Sequence, residues 1–294
     1  MTHVSVRRGL LYVSIAATAW GTGGAAGALL YRTGGLGPVS VSFWRFAAGA
    51  VMLLLASRLF DLGRVRGLGR IVVTGVAMAV YQTAYFAAIA ESGLAVATVV
   101  TIGATPVFVA AGARLLLGER LGAAGLGSVA IALTGLVMLT LDGGSATFSA
   151  LGMGWALLSA AGYAGVTLLN RASTDEPYAT AMGGFVVGGL CLLPLALAQG
   201  LLPSGDPLAS SAIIVYLGAI PTALAYGLFF AGLAAVRATT ASVISLVEPV
   251  GAAIIGVLLL GERLTPQTAG GAVLLLAAVG LLALRERRDS SLPS

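Results

Sequence analysis

Long apolar segments recur along this chain of 294 residues, and they constrain its fold more than any other feature. Each is about 20 residues long, which at ~1.5 Å per residue lets a helix cross a ~30 Å hydrocarbon core. Short loops separate the segments and hold most of the charges. Hydrophobic residues make up 58% of the chain, with a mean hydropathy of +1.00, more than any soluble domain needs. We therefore predict an all-α polytopic membrane protein.

Ten such segments can be counted, and they leave no room for a soluble domain. The predicted spans are residues 9–31, 38–60, 68–90, 95–117, 122–141, 150–170, 178–200, 208–234, 238–260 and 266–285. The first span follows Arg7 and Arg8, but it is too long for the apolar part of a signal peptide, and further spans follow at once. We expect it to be retained as a transmembrane helix.

The basic residues predict the orientation of the chain. All sixteen are arginine, and an N-terminus inside the cell places thirteen on the inner side, two outside and one, Arg45, within a span. This bias follows the positive-inside rule, so we expect both termini to be cytoplasmic. The formal charge of +5 therefore reflects membrane topology, and we expect no nucleic-acid partner. Abundant glycine and alanine without lysine indicate a high-GC genome, which points to a bacterial inner membrane.

The sequence repeats itself at a constant offset. The heptad LLLGERL begins at residue 115 and again at residue 258, 143 positions later. The same shift aligns further pairs: Gly9 and Gly152, Trp20 and Tyr163, Val72 and Val215, Gly75 and Gly218, Phe86 and Phe229, Ala95 and Ala238, and Pro106 and Pro249. We predict two homologous halves, residues 1–143 and 144–294, of five spans each. Because five is odd, the halves are inverted repeats, which are typical of secondary transporters.

The heptad itself has two interpretations. Its glycine can end a helix and leave the adjacent charges in the wet interface. Alternatively, Glu119 and Arg120 at the cytoplasmic mouth, and Glu262 and Arg263 at the external one, form gate ion pairs with the opposite half.

Several motifs resemble one known family. AWGT lies in the first span (residues 19–22), WRF lies in the second (residues 44–46), and a proline followed by GER closes the fourth and ninth spans. In this order, the motifs resemble those of the drug/metabolite transporter superfamily, specifically the EamA-type exporters, over residues 9–285. The resemblance implies an inner-membrane carrier, usually an exporter of amino acids or other small metabolites. It also implies a central cavity lined by the first, third, fourth, sixth, eighth and ninth spans.

Two charged residues lie within predicted spans, and we predict that they act in coupling or gating. Arg45 lies ~10 Å below the outer surface, where a charge is costly unless it is paired or solvated. It either anchors a substrate carboxylate or forms a gate ion pair, or it is a packing residue that bonds backbone carbonyls or snorkels outwards. Glu248 lies near the bilayer centre. It either handles protons or substrate during transport or forms a fixed structural pair with Arg45.

Two prolines lie at matching positions of the fourth and ninth spans. Interruptions at equivalent points of inverted halves point to a transport site. Pro106 and Pro249 are therefore predicted hinges; the alternative is a passive kink, which is common for proline in membrane helices.

Aromatic and amide side chains lie deep in the predicted spans, away from the interfaces where most membrane Trp and Tyr residues are found. We predict that as a set they line the substrate cavity, although any single one is better explained by packing. They are Trp20, Tyr81, Gln82, Tyr85, Tyr163 and Tyr226. Such a lining suits a small amphipathic solute, including aromatic or branched amino acids and drug-like cations.

Other classes of protein fit the sequence poorly. With one Cys (Cys191) and one His (His3), the chain cannot assemble a Cys/His metal site or metalloprotease chemistry, so we expect no metal, cofactor or catalytic residue. A channel or a facilitated-diffusion pore is the alternative to a carrier. We predict a secondary transporter that works by alternating access as a monomer. Its expected partners are a small-molecule solute, membrane lipids and a proton as the coupling ion.

Overall fold

The computed structural model describes residues 4–59, 67–119, 122–140, 149–173, 175–251, 254 and 265–289. All regular structure within these ranges is helical. The helices are α1 (Val6–Gly34), α2 (Pro38–Leu59), α3 (Leu68–Leu116), α4 (Ala123–Thr140), α5 (Ala150–Arg171), α6 (Pro177–Gln199), α7 (Pro207–Gly218), a π-helical turn (Ala219–Leu224), α8 (Ala225–Leu233), α9 (Ala238–Ile244) and α10 (Pro266–Asp289). Residues 247–251 are again helical after α9.

Proline and serine define several helix starts. Helices α2, α6, α7 and α10 each begin with a proline, whose fixed φ suits the first helical position and whose missing N–H is not needed there. Ser5 and Ser149 cap α1 and α5, since their side chains accept the backbone N–H groups of Arg8 and Gly152.

Helix α3 is 49 residues long and folds back on itself. The hydroxyl groups of Tyr85 and Thr98 bond at 2.8 Å. On a straight helix these residues would lie ~20 Å apart along the axis. The chain therefore reverses between two apolar segments, Leu68–Ile89 and Ala97–Leu116. These segments match the predicted third and fourth spans, although no break in helical structure separates them.

Six helical segments in the described ranges are long and apolar enough to cross a membrane. They are Pro38–Arg58, Leu68–Ile89, Ala97–Leu116, Ala150–Arg171, Pro177–Gln199 and Pro207–Leu233. The last of these runs from α7 through the π-helical turn into α8. Two further apolar segments, Gly125–Met138 and Ala269–Arg285, are shorter. The end of the predicted ninth span lies outside the described residues.

Helices that correspond in the two halves pack in corresponding ways. Helix α2 packs on α6, α4 packs on α10, α1 packs on α8, and α5 packs on α3. A Cβ atom added to Gly9 would lie 3.1 Å from the Cβ of Ala235, and one added to Gly152 would lie 3.0 Å from the Cβ of Ser92. Since 143 positions separate Gly9 from Gly152 and Ser92 from Ala235, the same close contact occurs twice. The packing fits a two-repeat architecture.

The first copy of the heptad ends α3. Gly118 follows the helix with a φ of 69°, a conformation that glycine adopts without steric cost. The Glu119 N–H then bonds back to the carbonyl of Ala113 at 3.1 Å. Helix termination is confirmed for this copy. Arg120, the second copy at 258–264 and the predicted boundary at 143/144 all lie outside the described residues.

Candidate functional site

A cavity of about 150 Å³ lies between α1, α2, α3, α5, α8 and the segment from α9 to residue 248. All the predicted cavity residues line it: Trp20, Tyr81, Gln82, Tyr85, Tyr163 and Tyr226. Arg45 and Glu248 line it as well. The fold therefore brings the predicted binding and coupling side chains to one place, from segments that are far apart in the sequence.

Aromatic rings form one wall of this cavity. Trp20 packs edge-on against Tyr226 and Tyr163, with ring centroids 5.0 and 6.3 Å apart, and Tyr81 packs edge-on against Tyr163 at 5.7 Å. These edge-to-face arrangements are the favourable ones for aromatic pairs. The hydroxyl groups of Tyr81 and Tyr226 bond to each other across the interface between the two halves. The wall is thus fixed by its own contacts.

Polar contacts hold the third-span side of the cavity in place. The Gln82 amide donates a hydrogen bond from Nε2 to the Ser42 hydroxyl of α2 at 3.0 Å. One turn further on, Tyr85 bonds to Thr98 and so joins the two apolar segments of α3, Leu68–Ile89 and Ala97–Leu116. These bonds orient both side chains before any solute enters.

Arg45 and Glu248 face the cavity without pairing with each other. Neither takes part in the ion pairs formed among the described residues, and neither side chain makes a hydrogen bond to that part of the chain. The Nε atom of Arg45 is buried and has no partner there. Backbone carbonyls of the described residues therefore do not hold the guanidinium, and the alternative fixed pair with Glu248 is not formed in this structure. Buried charge is costly unless it is compensated, so both groups are candidates for contact with a solute or an ion.

Hydroxyl groups that the sequence analysis did not single out complete the lining. Ser242 and Ser245 lie six and three positions before Glu248 and line the cavity with it. Their hydroxyls donate to the carbonyls of Thr239 at 2.8 Å and Ala241 at 3.0 Å, so their oxygen atoms can act only as acceptors towards other groups. The signal was present in the sequence as the hydroxyl-rich stretch TTASVIS at residues 239–245.

Thr105 continues this acceptor surface from the first half. Its hydroxyl donates to the Thr101 carbonyl at 2.8 Å, and it occupies the position in the repeat that Glu248 occupies in the second half. Hydrogen-bond donors come from the opposite helices, because the buried Nε1 of Trp20 on α1 and Nε of Arg45 on α2 have no partner within the described residues. The cavity therefore has donors on the α1 and α2 side and acceptors on the ninth-span side.

A π-helical turn lies just before Tyr226. Pro221 has no N–H to offer the Leu217 carbonyl, and the Thr222 hydroxyl donates to that carbonyl instead, at 2.6 Å. Gly23 of α1 packs against Pro221, with 3.0 Å between an added Cβ and the proline Cβ. Short π-helical segments are frequent at functional sites. The corresponding part of α3 in the first half is regular.

The predicted hinges differ in their surroundings. Helix α3 continues through Pro106 without interruption. In the ninth span, α9 ends at Ile244, a turn follows, and helix resumes at residue 247. The Ser245 carbonyl, which Pro249 deprives of its usual partner, accepts the Glu248 N–H at 3.0 Å. Bending at either proline stays a prediction.

Among the described residues, two ion pairs join the halves at one end of the bundle. Glu119, beyond the end of α3, accepts a hydrogen bond from Arg171 Nε at the end of α5, with 3.2 Å between the atoms. The same carboxylate accepts the Ala238 N–H at the start of α9, also at 3.2 Å. Arg70 at the start of α3 pairs with Asp175 after α5 at 2.8 Å. Because α3 folds back, both of its ends lie at this end of the bundle.

Comparisons with known proteins agree with this architecture. The sequence profile of the EamA-like transporter family matches twice, at residues 7–141 and 150–284. The chain is 31% identical over 289 residues to "Uncharacterized transporter YwfM" of Bacillus subtilis (strain 168), covering 96% of this chain and 95% of that protein. It is 34% identical over 204 residues to "Probable terminal-alkyne amino-acid exporter" of Streptantibioticus cattleyicolor, covering 65% of this chain and 66% of that protein.

A solved crystal structure has the same fold. It superimposes with a TM-score of 0.81 and 22% sequence identity over 96% of this chain and 99% of that one. The family profile matches both halves, and the alignment with the Bacillus transporter covers 96% of this chain. The similarity therefore extends over the whole chain and does not depend on one motif. This chain is a multi-pass membrane transporter that belongs to the EamA-like transporter family.

Proposed function

We propose that this transporter exports a small α-amino acid or a closely related zwitterion across a bacterial inner membrane by alternating access. One observation carries the proposal: Arg45 and Glu248 face the same cavity with opposite charges and do not pair with each other. A zwitterionic solute would satisfy both charges at once. Its carboxylate would bind Arg45, and its ammonium group would bind Glu248.

The remaining lining supports the same orientation. Trp20 Nε1 adds a donor near the carboxylate end, while Ser242 and Ser245 add acceptors near the ammonium end. The aromatic wall of Tyr81, Tyr163 and Tyr226 offers apolar surface for a side chain between the two ends. The solute would therefore be recognised at three points.

The size of the cavity favours a metabolite over a drug. Drug-sized ligands occupy pockets of ~300–1,000 Å³, and this cavity has about 150 Å³. The Streptantibioticus relative is named a probable terminal-alkyne amino-acid exporter, which supports the same solute class.

The proposed topology has ten spans in two inverted repeats, with halves at 1–143 and 144–294, both termini in the cytoplasm and a monomer as the working unit. In this orientation the Glu119–Arg171 and Arg70–Asp175 pairs close the cytoplasmic end. Opening that end would separate the halves, with the break between Ile244 and residue 247 and the prolines at 106 and 249 absorbing the movement. Glu248 would bind either a proton or the ammonium group of the solute. This exchange would couple the movement of the solute to the movement of protons.

A counter-flow experiment in proteoliposomes tests the proposal. Vesicles loaded with an unlabelled amino acid are mixed with the same labelled compound, and two analogues are compared: the carboxylic acid without the amine and the amine without the carboxylate. We expect saturable counter-flow of the zwitterion alone, and its loss in Arg45→Gln but not in Arg58→Gln, a change at an exposed arginine of α2. Equal transport of all three compounds would contradict zwitterion recognition. Ion conduction without counter-flow would indicate a channel.

A further inference from the structure

A second cavity of about 120 Å³ lies at the end of the bundle that contains the Glu119–Arg171 pair. It shares no lining residue with the central cavity. Three helix ends form it: Gly122 and Gly125 at the start of α4, Arg237 and two threonines at the start of α9, and Arg285 near the end of α10. The proposed transport cycle makes no use of this cavity.

The chemistry of the lining selects an anion. Two of the lining side chains are arginines, Arg237 and Arg285, and no carboxylate is among the lining residues that the structure describes. The start of α4, a helix of 18 residues, also lies here, and a helix N-terminus favours negative charge, although the Gly125 N–H bonds to the Gly122 carbonyl at 2.8 Å.

Thr239 provides an independent indication of a ligand. Its side chain lines the cavity, the residue is 3% exposed, and its hydroxyl has no hydrogen-bond partner within the described part of the chain. Because Thr239 lines the cavity, a ligand bound there could accept a hydrogen bond from its hydroxyl. A hydroxyl that donates towards a space flanked by two guanidinium groups fits an oxyanion with several acceptor atoms.

The position of the cavity suggests where the anion comes from. Helices α4 and α10 pack together, and Leu126 and Leu284 next to the cavity are 59% and 58% exposed, as expected of side chains that face lipid. The arginine bias places this end at the cytoplasmic membrane surface, the level of lipid headgroups. Basic pockets between transmembrane helices on that side bind phospholipid headgroups.

We propose that this cavity is a binding site for a phosphate group, supplied by an anionic membrane phospholipid or by free phosphate. The guanidinium groups of Arg237 and Arg285 and the hydroxyl of Thr239 hold its oxygens, and α9 is thereby linked to α10. The occupied site stabilises the start of α9, the helix that leads to Ser242, Ser245 and Glu248.

Binding to the purified full-length protein in uncharged detergent tests this site. Short-chain phosphatidylglycerol, phosphatidylcholine and inorganic phosphate are titrated at constant ionic strength set with chloride, and the shift in unfolding temperature is measured. Stabilisation by phosphatidylglycerol at lower concentrations than the other two identifies a lipid site. Equal saturation by inorganic phosphate identifies a site for the free anion.

Substitutions test whether the stabilisation comes from binding at this cavity. We expect Arg285→Gln and Thr239→Val to weaken binding of the stabilising compound at least tenfold, because each removes a direct contact. The controls are Arg58→Gln, at an exposed arginine predicted to be at the same membrane face, and Thr134→Val, at an exposed threonine of α4. The proposal is overturned if no compound stabilises the protein saturably, or if Arg58→Gln weakens binding as much as Arg285→Gln. Transport is not measured, so the result is independent of the proposed solute.

Discussion

Glu119 joins three helices through one carboxylate, since it pairs with Arg171 of α5 and accepts the N–H of Ala238 that begins α9. The pair links the end of the first repeat's α3 to the second repeat, and its side chains are 10% and 30% exposed. The heptad that contains Glu119 therefore both ends a helix and connects the two halves.

Weakening this connection should open this end of the bundle, which we propose to be cytoplasmic, more often. We expect Arg171→Gln to shift the equilibrium towards the open state by about 1 kcal/mol, roughly fivefold, because the pair is partly exposed. The measurement is the labelling rate of a cysteine introduced as Ser159→Cys in a Cys191→Ser background, by an impermeant thiol reagent added from the cytoplasmic side of inverted vesicles. The exposed Arg58→Gln serves as the control. An unchanged rate in Arg171→Gln would show that the pair is no part of a gate.

Proton dependence should reside in Glu248. Glu248→Gln removes the one carboxylate among the described residues that line the central cavity, so transport should lose its dependence on a pH gradient and fall at least tenfold at any pH. Uptake into proteoliposomes at several imposed gradients measures this, and size-exclusion chromatography checks that the protein is intact. Glu176→Gln, a change outside the cavity at the start of α6, should retain the wild-type profile. If Glu248→Gln keeps its response to the gradient, protons are coupled elsewhere.

The bond between Tyr81 and Tyr226 should appear as an energetic coupling. Each Tyr→Phe change alone leaves the other buried hydroxyl without its partner, whereas the double change removes both. We expect a coupling energy of ~0.5–1.5 kcal/mol in a double-mutant cycle on thermal unfolding in detergent. A cycle of Tyr81→Phe with Tyr216→Phe, whose hydroxyl bonds to Thr22 elsewhere, should be additive. Additivity in both cycles would mean that the Tyr81–Tyr226 bond does not stabilise the fold.

The π-helical turn should depend on Thr222. Thr222→Val removes the donor to the Leu217 carbonyl next to Pro221 and should lower the free energy of unfolding by ~1–3 kcal/mol, while Thr222→Ser should retain most of it. Thermal unfolding in detergent measures both variants. Thr134→Val, which removes an exposed bond to the carbonyl of Ala130, should be nearly neutral. Similar losses at positions 222 and 134 would contradict a special role for the turn.

Close helix packing at Gly75 should tolerate no side chain. An added Cβ would lie 2.5 Å from the Cβ of Val187 and 2.9 Å from the backbone oxygen of Gly184, so α3 and α6 would have to separate. We expect Gly75→Ala to destabilise the protein by ~1–3 kcal/mol. Gly154→Ala, where nothing lies within 4 Å of the added atom, should be neutral or slightly stabilising. Equal unfolding temperatures for the two variants would refute the close approach.

Much of the cavity could be predicted from the sequence, because membrane burial makes polar residues conspicuous. Arg45, Glu248 and the deep tyrosines are conspicuous in apolar spans, because burying a polar or charged group there is costly. Ser242 and Ser245 were missed because a hydroxyl can satisfy itself on its own helix, so its presence in a span gives no such signal. The reversal between the third and fourth spans was predicted, but the continuation of helical structure through it was not.

The sequence by itself determined the class of the fold and its repeat, because apolar length and a constant offset are properties of the chain read in order. Only the tertiary structure decided that Arg45 and Glu248 face one cavity unpaired and that Glu119 reaches Arg171. Those relationships depend on how helices from the two halves approach one another. Close packing at Gly9, Gly75 and the residues they contact sets the distance between those helices. The residues in contact are far apart in the sequence, so the order of the chain does not show which of them meet.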